Sequence, residues 1–219
     1  MSSRPTQARR DRERELVLAT RRLFDERGVQ DAPIEEIARA VGIARGLIYR
    51  HFSSKEELFV LTVAEYNEEL AALLATAVAS AAHPADRLER CTEAFAGFCQ
   101  RYPAFLDCSL SLMRGPASEL REKVSDSVWL RLGRSMARCL DQLAAVLRAG
   151  DEAGVFSVAD PDYTANVLWT QSLGTMHLAR IRVGVREAAP GIPALFPLAP
   201  EQVVRTCVDC ALAAVGARR

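Results

Sequence analysis

Aromatic residues are scarce in this 219-residue sequence, at 6% of the total, and histidine occurs three times. His51, His83 and His177 are too far apart for the paired-histidine spacing of a zinc hydrolase. A G-x-S-x-G elbow, a Walker loop and a Rossmann glycine fingerprint are also missing. No catalytic residue and no cofactor is expected. Long apolar runs are lacking too. The longest uncharged segments, Leu70–Ala85 and Tyr163–Ala179, span 16 and 17 residues, short of the roughly 20 that a membrane span needs. The first twenty residues hold arginines without an apolar block, unlike a secretory leader. A soluble, cytoplasmic protein with no membrane partner is the expectation. Cysteine is present but scattered, at positions 91, 99, 108, 139, 207 and 210. Cys207 and Cys210 have C-x-x-C spacing without a second pair. Each cysteine therefore reads as a small buried hydrophobe, and no metal site is expected.

Net charge is zero, with 28 basic and 28 acidic residues, but its distribution is uneven. Twelve of the Lys/Arg fall in residues 1–55, leaving that segment net basic and the remainder net acidic. This layout suits a nucleic-acid-binding head, and it suits a solvated surface equally. The apolar fraction, 49%, is enough for one or two domains with a buried core.

Apolar residues recur at helical spacing almost throughout, so the expected fold is all-α. A first helix, about residues 7–27, carries Leu16, Ala19, Leu23 and Phe24 and stops at Gly28. Ile34, Ile37, Ala38 and Val41 mark a second, with Pro33 in its first turn. A third spans about Arg45–His51. Ser54 and Glu57 form a capping-box pattern that opens a long fourth helix. His83-Pro84, Pro103 and Asp160-Pro161 start further helices, and residues 117–149 read as one continuous helix ended by Gly150 and Gly154. The proline-rich stretch 188–200 reads as a loop, and Pro200 opens the last helix. The division expected is a head at 1–55 and a body at 56–219.

Two short helices joined by a Gly-containing turn, about residues 33–52, have the pattern of a helix-turn-helix. Ile37, Ala38, Val41, Ile43, Ile48 and Phe52 can face inward, leaving Arg45, Gly46, Leu47, Tyr49 and Arg50 outside. Periodicity alone also fits an ordinary helical hairpin. The run Leu23-Phe24-Asp25-Glu26-Arg27-Gly28, then Ile34-Glu35-Glu36-Ile37-Ala38, then Val41 through Leu58 (VGIARGLIYRHFSSKEEL), closely resembles the tetracycline-repressor (TetR) family. The resemblance covers about the first 60 residues. It implies a homodimeric regulator, most often a repressor, that sets its third helix in the major groove of a palindromic operator on double-stranded DNA. On that mapping Arg45, Gly46 and Leu47 face the bases. Tyr49, Arg50 and His51 follow the phosphates, and Lys55 meets a phosphate at the start of the fourth helix. Three positions depart from the family: Ala32-Pro33 and Ala44 lack the usual capping hydroxyls, and Leu47 replaces a frequent Thr. Asp31 is an alternative cap. Arg9, Arg10, Arg12 and Arg14 read either as a DNA-contacting arm or as a solvated helix end.

In the family the body binds a small effector. Phe95 and the set Phe98, Tyr102, Phe105, Met113, Trp129, Met136, Trp169, Met176 and His177 could line an adaptable, mostly apolar pocket for an apolar or aromatic molecule. Packed core is the competing reading for each. The helices at about 162–185 and 200–215 would form the dimer face, with Leu168, Ser172, Leu173, Ala211, Leu212 and Val215 packing across a two-fold axis or inside one chain. Two other readings remain open: a helical interaction module, and a small-molecule-processing protein without specific DNA binding.

Overall fold

A computed structural model describes residues 4–28 and 32–217. The Asp31 cap lies outside the described residues. In chain order the elements are α1 (Arg4–Arg27), α2 (Ile34–Ala40), α3 (Arg45–Ile48), α4 (Lys55–Ala79), α5 (Pro84–Arg101), α6 (Pro103–Leu112), α7 (Ala117–Arg121), α8 (Asp126–Glu152), α9 (Pro161–Ile181), β1 (Val183–Ala189), β2 (Ile192–Pro197) and α10 (Pro200–Ala214). Among the described residues the fold is all-α apart from one hairpin. None of the described helices is long and apolar enough to cross a membrane.

The chain forms two compact units, residues 1–69 with 103–136, and residues 70–102 with 137–219. In the first, α1, α2, α3 and the start of α4 share one core with α6 and the start of α8. Leu16, Ile37, Ile48, Phe52, Leu58 and Leu61 are buried there together with Ala104, Cys108, Val128 and Leu132. Arg21, Asp25, Tyr66 and Glu69 form a polar knot on this core. Tyr66 donates to Asp25 at 2.6 Å, Arg21 pairs with Glu69, and the Arg21 guanidinium lies 4.3 Å from the Tyr66 ring centroid. Burial raises Asp25 above the usual carboxylate range.

In the second unit α5, α9 and α10 pack on one another. Asp160 caps α9, accepting from the Tyr163 N–H at 2.9 Å, and the His83 ring caps α5. Phe95 and Trp169 meet tilted, with centroids 4.9 Å apart.

Several sequence expectations are corrected. The stretch 188–200 is not all loop: β1 and β2 pair antiparallel in a hairpin turned at Gly191, whose φ of +77° favours glycine. Pro193 and Pro197 are tolerated because both strands of a two-stranded ribbon have an open edge. Residues 117–149 are not one helix, since the chain breaks between α7 and α8 at 122–125. Gly150 lies inside α8, where the Phe156 ring covers it. Leu168, Ser172, Leu173, Ala211, Leu212 and Val215 are buried within a single chain. The apolar side chains that α9 leaves exposed are instead Tyr163, Val167, Leu178 and Ile181.

Candidate nucleic-acid interface

The turn between α2 and α3 is set by backbone chemistry. Gly42 adopts φ +69°, its N–H bonds the Arg39 carbonyl at 3.1 Å, and the Ile43 N–H reaches back to Ala38 at 3.0 Å. These two bonds satisfy the end of α2 and fix the exit direction toward α3. Neither Pro33 nor Ala44 supplies a side-chain cap, and Ala32 is fully buried in the core. The third helix is shorter than the sequence suggests. It covers Arg45–Ile48 and continues as turns, with Arg50 N–H on Leu47 O and His51 N–H on Ile48 O.

Ile48 and Phe52 anchor this segment in the core. Its other side presents Arg45, Gly46, Leu47, Tyr49 and Arg50 to solvent. Leu47 is 37% exposed and Tyr49 45%, an unusual display for so short a segment. Arg45 pairs with Glu35 at 2.6 Å, and its guanidinium lies 6.0 Å from the Tyr49 ring centroid. His51 is half-buried, and its Nδ1 finds no partner among the described residues. Lys55 is exposed as the first residue of α4. All seven residues predicted for DNA contact therefore stand within one short stretch, Arg45 to Lys55.

Glu57 holds this stretch to the rest of its unit. It is 4% exposed, and its carboxylate accepts from Ser53 N–H at 2.7 Å and Ser125 N–H at 2.8 Å. Ser54 Oγ accepts from Glu57 N–H at 3.1 Å and donates to the Lys123 carbonyl at 2.9 Å. The capping box is present in modified form, because Glu57 reaches Ser53 and Ser125 in place of the Ser54 N–H. Burial pushes the Glu57 carboxyl up, but the donors from Ser125 and Ser53 outweigh it and hold it below its ordinary value. Further along, α1 is helical from Arg4, so Arg9, Arg10, Arg12 and Arg14 stand on a helix and do not form an extended arm. Arg12 is paired with Glu15 at 2.7 Å.

The nine residues predicted to line an effector pocket divide between the units. In the second unit, Phe98 and Tyr102 meet tilted with centroids 4.8 Å apart, Met176 is buried, and His177 is exposed on α9. Trp169 lines a cavity of about 20 Å³ with Leu74, Cys91, Phe95, Cys139 and Leu143, room for about one water-sized probe. In the first unit, Phe105 is fully buried against Tyr66 and Met113 is exposed. Trp129 and Met136 pack half-buried on the core. Sequence reasoning had no signal for Leu74, Cys91 or Cys139, since aliphatic and thiol side chains in a helical pattern do not separate cavity wall from packed interior.

Residues 16–61 match the family described as bacterial regulatory proteins, tetR family. The HTH-type transcriptional activator FasR of Mycolicibacterium smegmatis is 30% identical over 92 residues, 42% of this chain and 42% of FasR. The HTH-type transcriptional repressor AcnR of Corynebacterium diphtheriae is 36% identical over 64 residues, 29% of this chain and 34% of AcnR. These matches span less than half the length of either relative. Among solved structures, RolR in complex with resorcinol has a TM-score of 0.70 at 17% identity, covering 97% of this chain and 91% of RolR. The TetR family regulator PfmR of Thermus thermophilus has a TM-score of 0.60 at 24% identity, covering 90% of this chain and 97% of PfmR. These structures share the fold along nearly the whole chain.

Proposed function

We propose that the chain, whose residues 16–61 match the tetR family of bacterial regulatory proteins, is a member of that family and a ligand-responsive, homodimeric transcriptional repressor, not an enzyme. The observation that carries this reading is the α3 surface. A segment anchored by Ile48 and Phe52 exposes Arg45, Gly46, Leu47 and Tyr49, with Arg50 and Lys55 beside them. Arg45, Gly46 and Leu47 face bases, Leu47 through apolar contact with a thymine methyl. Tyr49, Arg50 and His51 follow the phosphate backbone. Lys55 meets a phosphate at the positive end of α4.

A second copy packs on the exposed stripe of α9, where Tyr163, Val167, Leu178 and Ile181 recur at helical spacing. The two recognition helices then reach half-sites of a palindrome about 34–36 Å apart, or a multiple of that. RolR was solved with resorcinol and the Bacillus subtilis FadR with stearoyl-CoA. Those complexes support an apolar or aromatic effector here. The small Trp169 cavity is its seat, opened by movement of the flexible side chains around it. Leu74, on that cavity's wall, and Lys55 belong to the same unbroken helix α4, which gives the effector a route to the DNA surface. The effector can change DNA affinity only by its differential affinity for the two states, typically about 1–3 kcal/mol.

The test is a mobility shift with operator and scrambled duplexes at two salt concentrations. Arg45→Ala should lose about 1–3 kcal/mol on the operator and little on scrambled DNA. Lys55→Ala should weaken both alike and lower the salt slope by about one. Equal losses on both duplexes for both variants would refute the assignment. Salt-insensitive binding would favour the interaction-module reading.

A further inference from the structure

The hairpin β1–β2 leaves the end of α9 in a fixed direction. Arg182 adopts φ +56°, uncommon for a residue with a side chain, and its carbonyl accepts from the Leu198 N–H at 3.0 Å. In an antiparallel pair, bonded and non-bonded residue pairs alternate. Arg182 and Leu198 form a bonded pair, so Gly184 with Phe196 and Arg186 with Ala194 are bonded too. Val183, Val185 and Glu187 therefore turn their N–H and C=O groups away from β2. On β2 the outward positions are Pro193, Leu195 and Pro197.

The two edges are guarded unequally. Pro193 and Pro197 remove two of the three outward donors of β2, a common defence of a strand edge. The outward row of β1, Val183 to Glu187, keeps every donor, and none of these backbone groups bonds to another described element. Val183, Val185 and Glu187 are exposed and share one face with Pro193, Leu195 and Pro197, exposed as well. The other face is occupied within the hairpin. There the Phe196 ring lies over Gly184, and the Arg186 guanidinium stands 5.8 Å from its centroid. Two strands alone are marginal in water, and one edge is open to a third.

We propose that β1 pairs antiparallel with β1 of a second copy, joining two hairpins into one four-stranded sheet across the two-fold axis. The proposal rests on the homodimer reading and supplies what that reading lacks. Of the α9 stripe, Tyr163 is 69% exposed and Val167, Leu178 and Ile181 between 40% and 50%. That is on the order of 400 Å² per copy, half of the roughly 800 Å² that a stable partner buries. The stripe ends at Ile181, two residues before β1, so β1 continues it along the chain. Self-pairing also fixes the register. An axis at Arg186 or Glu187 sets like charges opposite each other. One at Val183 or Gly184 leaves part of the row unpaired. An axis at Val185 does neither: Arg186 falls opposite Gly184 of the second copy and Glu187 opposite its Val183. Three bonded pairs then exchange about six backbone hydrogen bonds. The Glu187 carboxylate already accepts from the Gly191 N–H at 2.7 Å, at the turn of its own hairpin.

The experiment uses the full chain without DNA. Sedimentation velocity compares wild type with Val185→Pro, which removes an outward N–H and leaves the β1–β2 ladder its donors. Val185→Lys is run beside it and places two ammonium groups on the axis. Each should weaken the dimer at least about tenfold while the thermal melt is unchanged. As a second measurement, Val185→Cys should form a covalent dimer under a mild oxidant. Bonded partners stand about 5.5 Å apart at Cα, within disulfide reach. Leu195→Cys, one strand farther from the axis, and wild type, whose own cysteines are buried or half-buried, should cross-link little. A dimer of undiminished affinity in both Val185 variants, or cross-linking from Leu195→Cys equal to that from Val185→Cys, would overturn the proposal and leave the homodimer reading standing. A wild-type chain that stays monomeric would overturn both.

Discussion

Glu35 restrains the side chain proposed to read DNA. It stands in the first turn of α2 and holds Arg45 at 2.6 Å, with side chains 52% and 60% exposed. To reach a base edge Arg45 must leave this partner, so the pair competes with DNA. A half-exposed, solvent-screened ion pair is worth about 0.2–1 kcal/mol. Replacing Glu35 by Gln removes that competition and should tighten operator binding by about 1.4- to 5-fold. Loss of one negative charge near the phosphates tightens scrambled DNA as well, so the informative quantity is the ratio between the two duplexes. Fluorescence anisotropy on both, for wild type, Glu35→Gln, Arg45→Ala and the double variant, closes a cycle. The gain in operator preference should vanish in the Arg45→Ala background. If Glu35→Gln raises operator preference equally with Arg45 absent, or lowers it with Arg45 present, the proposed role of Arg45 is wrong.

Gly150→Ala should destabilise the protein, since its Cβ would lie 1.9 Å from Phe156 Cδ2, and the Phe156 N–H is bonded to the Gly150 carbonyl at 3.0 Å. Overpacking of about 1–3 kcal/mol outweighs the roughly 0.5–1 kcal/mol of helix propensity gained. Gly133→Ala on the same helix meets nothing within 4 Å and should stabilise, so equal denaturant midpoints for the two variants would contradict the packing argument. Glu57→Gln should lose stability at neutral pH and flatten the acid limb. A carboxyl held below its ordinary 4.5 stabilises above that value and loses the contribution as pH falls through its lowered pKa. The reading is the difference between variant and wild type across about pH 2–6 in urea melts, which cancels the opposite contribution of Asp25, and an unchanged acid limb would count against the Ser53–Glu57–Ser125 arrangement. Leu178→Glu with Ile181→Glu should convert a dimer to a folded monomer by sedimentation velocity. A dimer of undiminished affinity would move the interface elsewhere.

The head was legible in the sequence because its determinants are local. Gly42 after Val41, the apolar set Ile37, Ala38, Ile48 and Phe52, and Ser54 with Glu57 each act within a few residues of themselves. The hairpin was not, because Val-Gly-Val-Arg-Glu does not alternate in polarity. Its prolines argue for a loop until the open edges of a two-stranded ribbon are known. The break at 122–125 was hidden for another reason. What stabilises it is Glu57, nearly seventy residues earlier, receiving the Ser125 N–H. The sequence left open whether Leu168, Ser172 and Leu173 pack across a two-fold axis or inside one chain, since a helix with apolar residues on both faces gives no sign of which one its own chain covers; all three are buried within the chain.

The shared core of the first unit has a consequence for how the protein comes into being. Ala104, Cys108, Val128 and Leu132 close over Leu16, Ile37 and Phe52, yet they are synthesised only after α5 is complete. Until then the recognition segment rests on an unfinished interior, with Glu57 lacking its Ser125 donor. The interior under the segment proposed to meet DNA is thereby complete only once the chain has been made as far as Leu132. A nascent chain stalled within α5, or a fragment truncated there, would carry every residue of the helix-turn-helix and still lack the packing that holds it rigid. The core that holds the segment proposed to meet DNA thus takes in far more of the sequence than the helix-turn-helix itself.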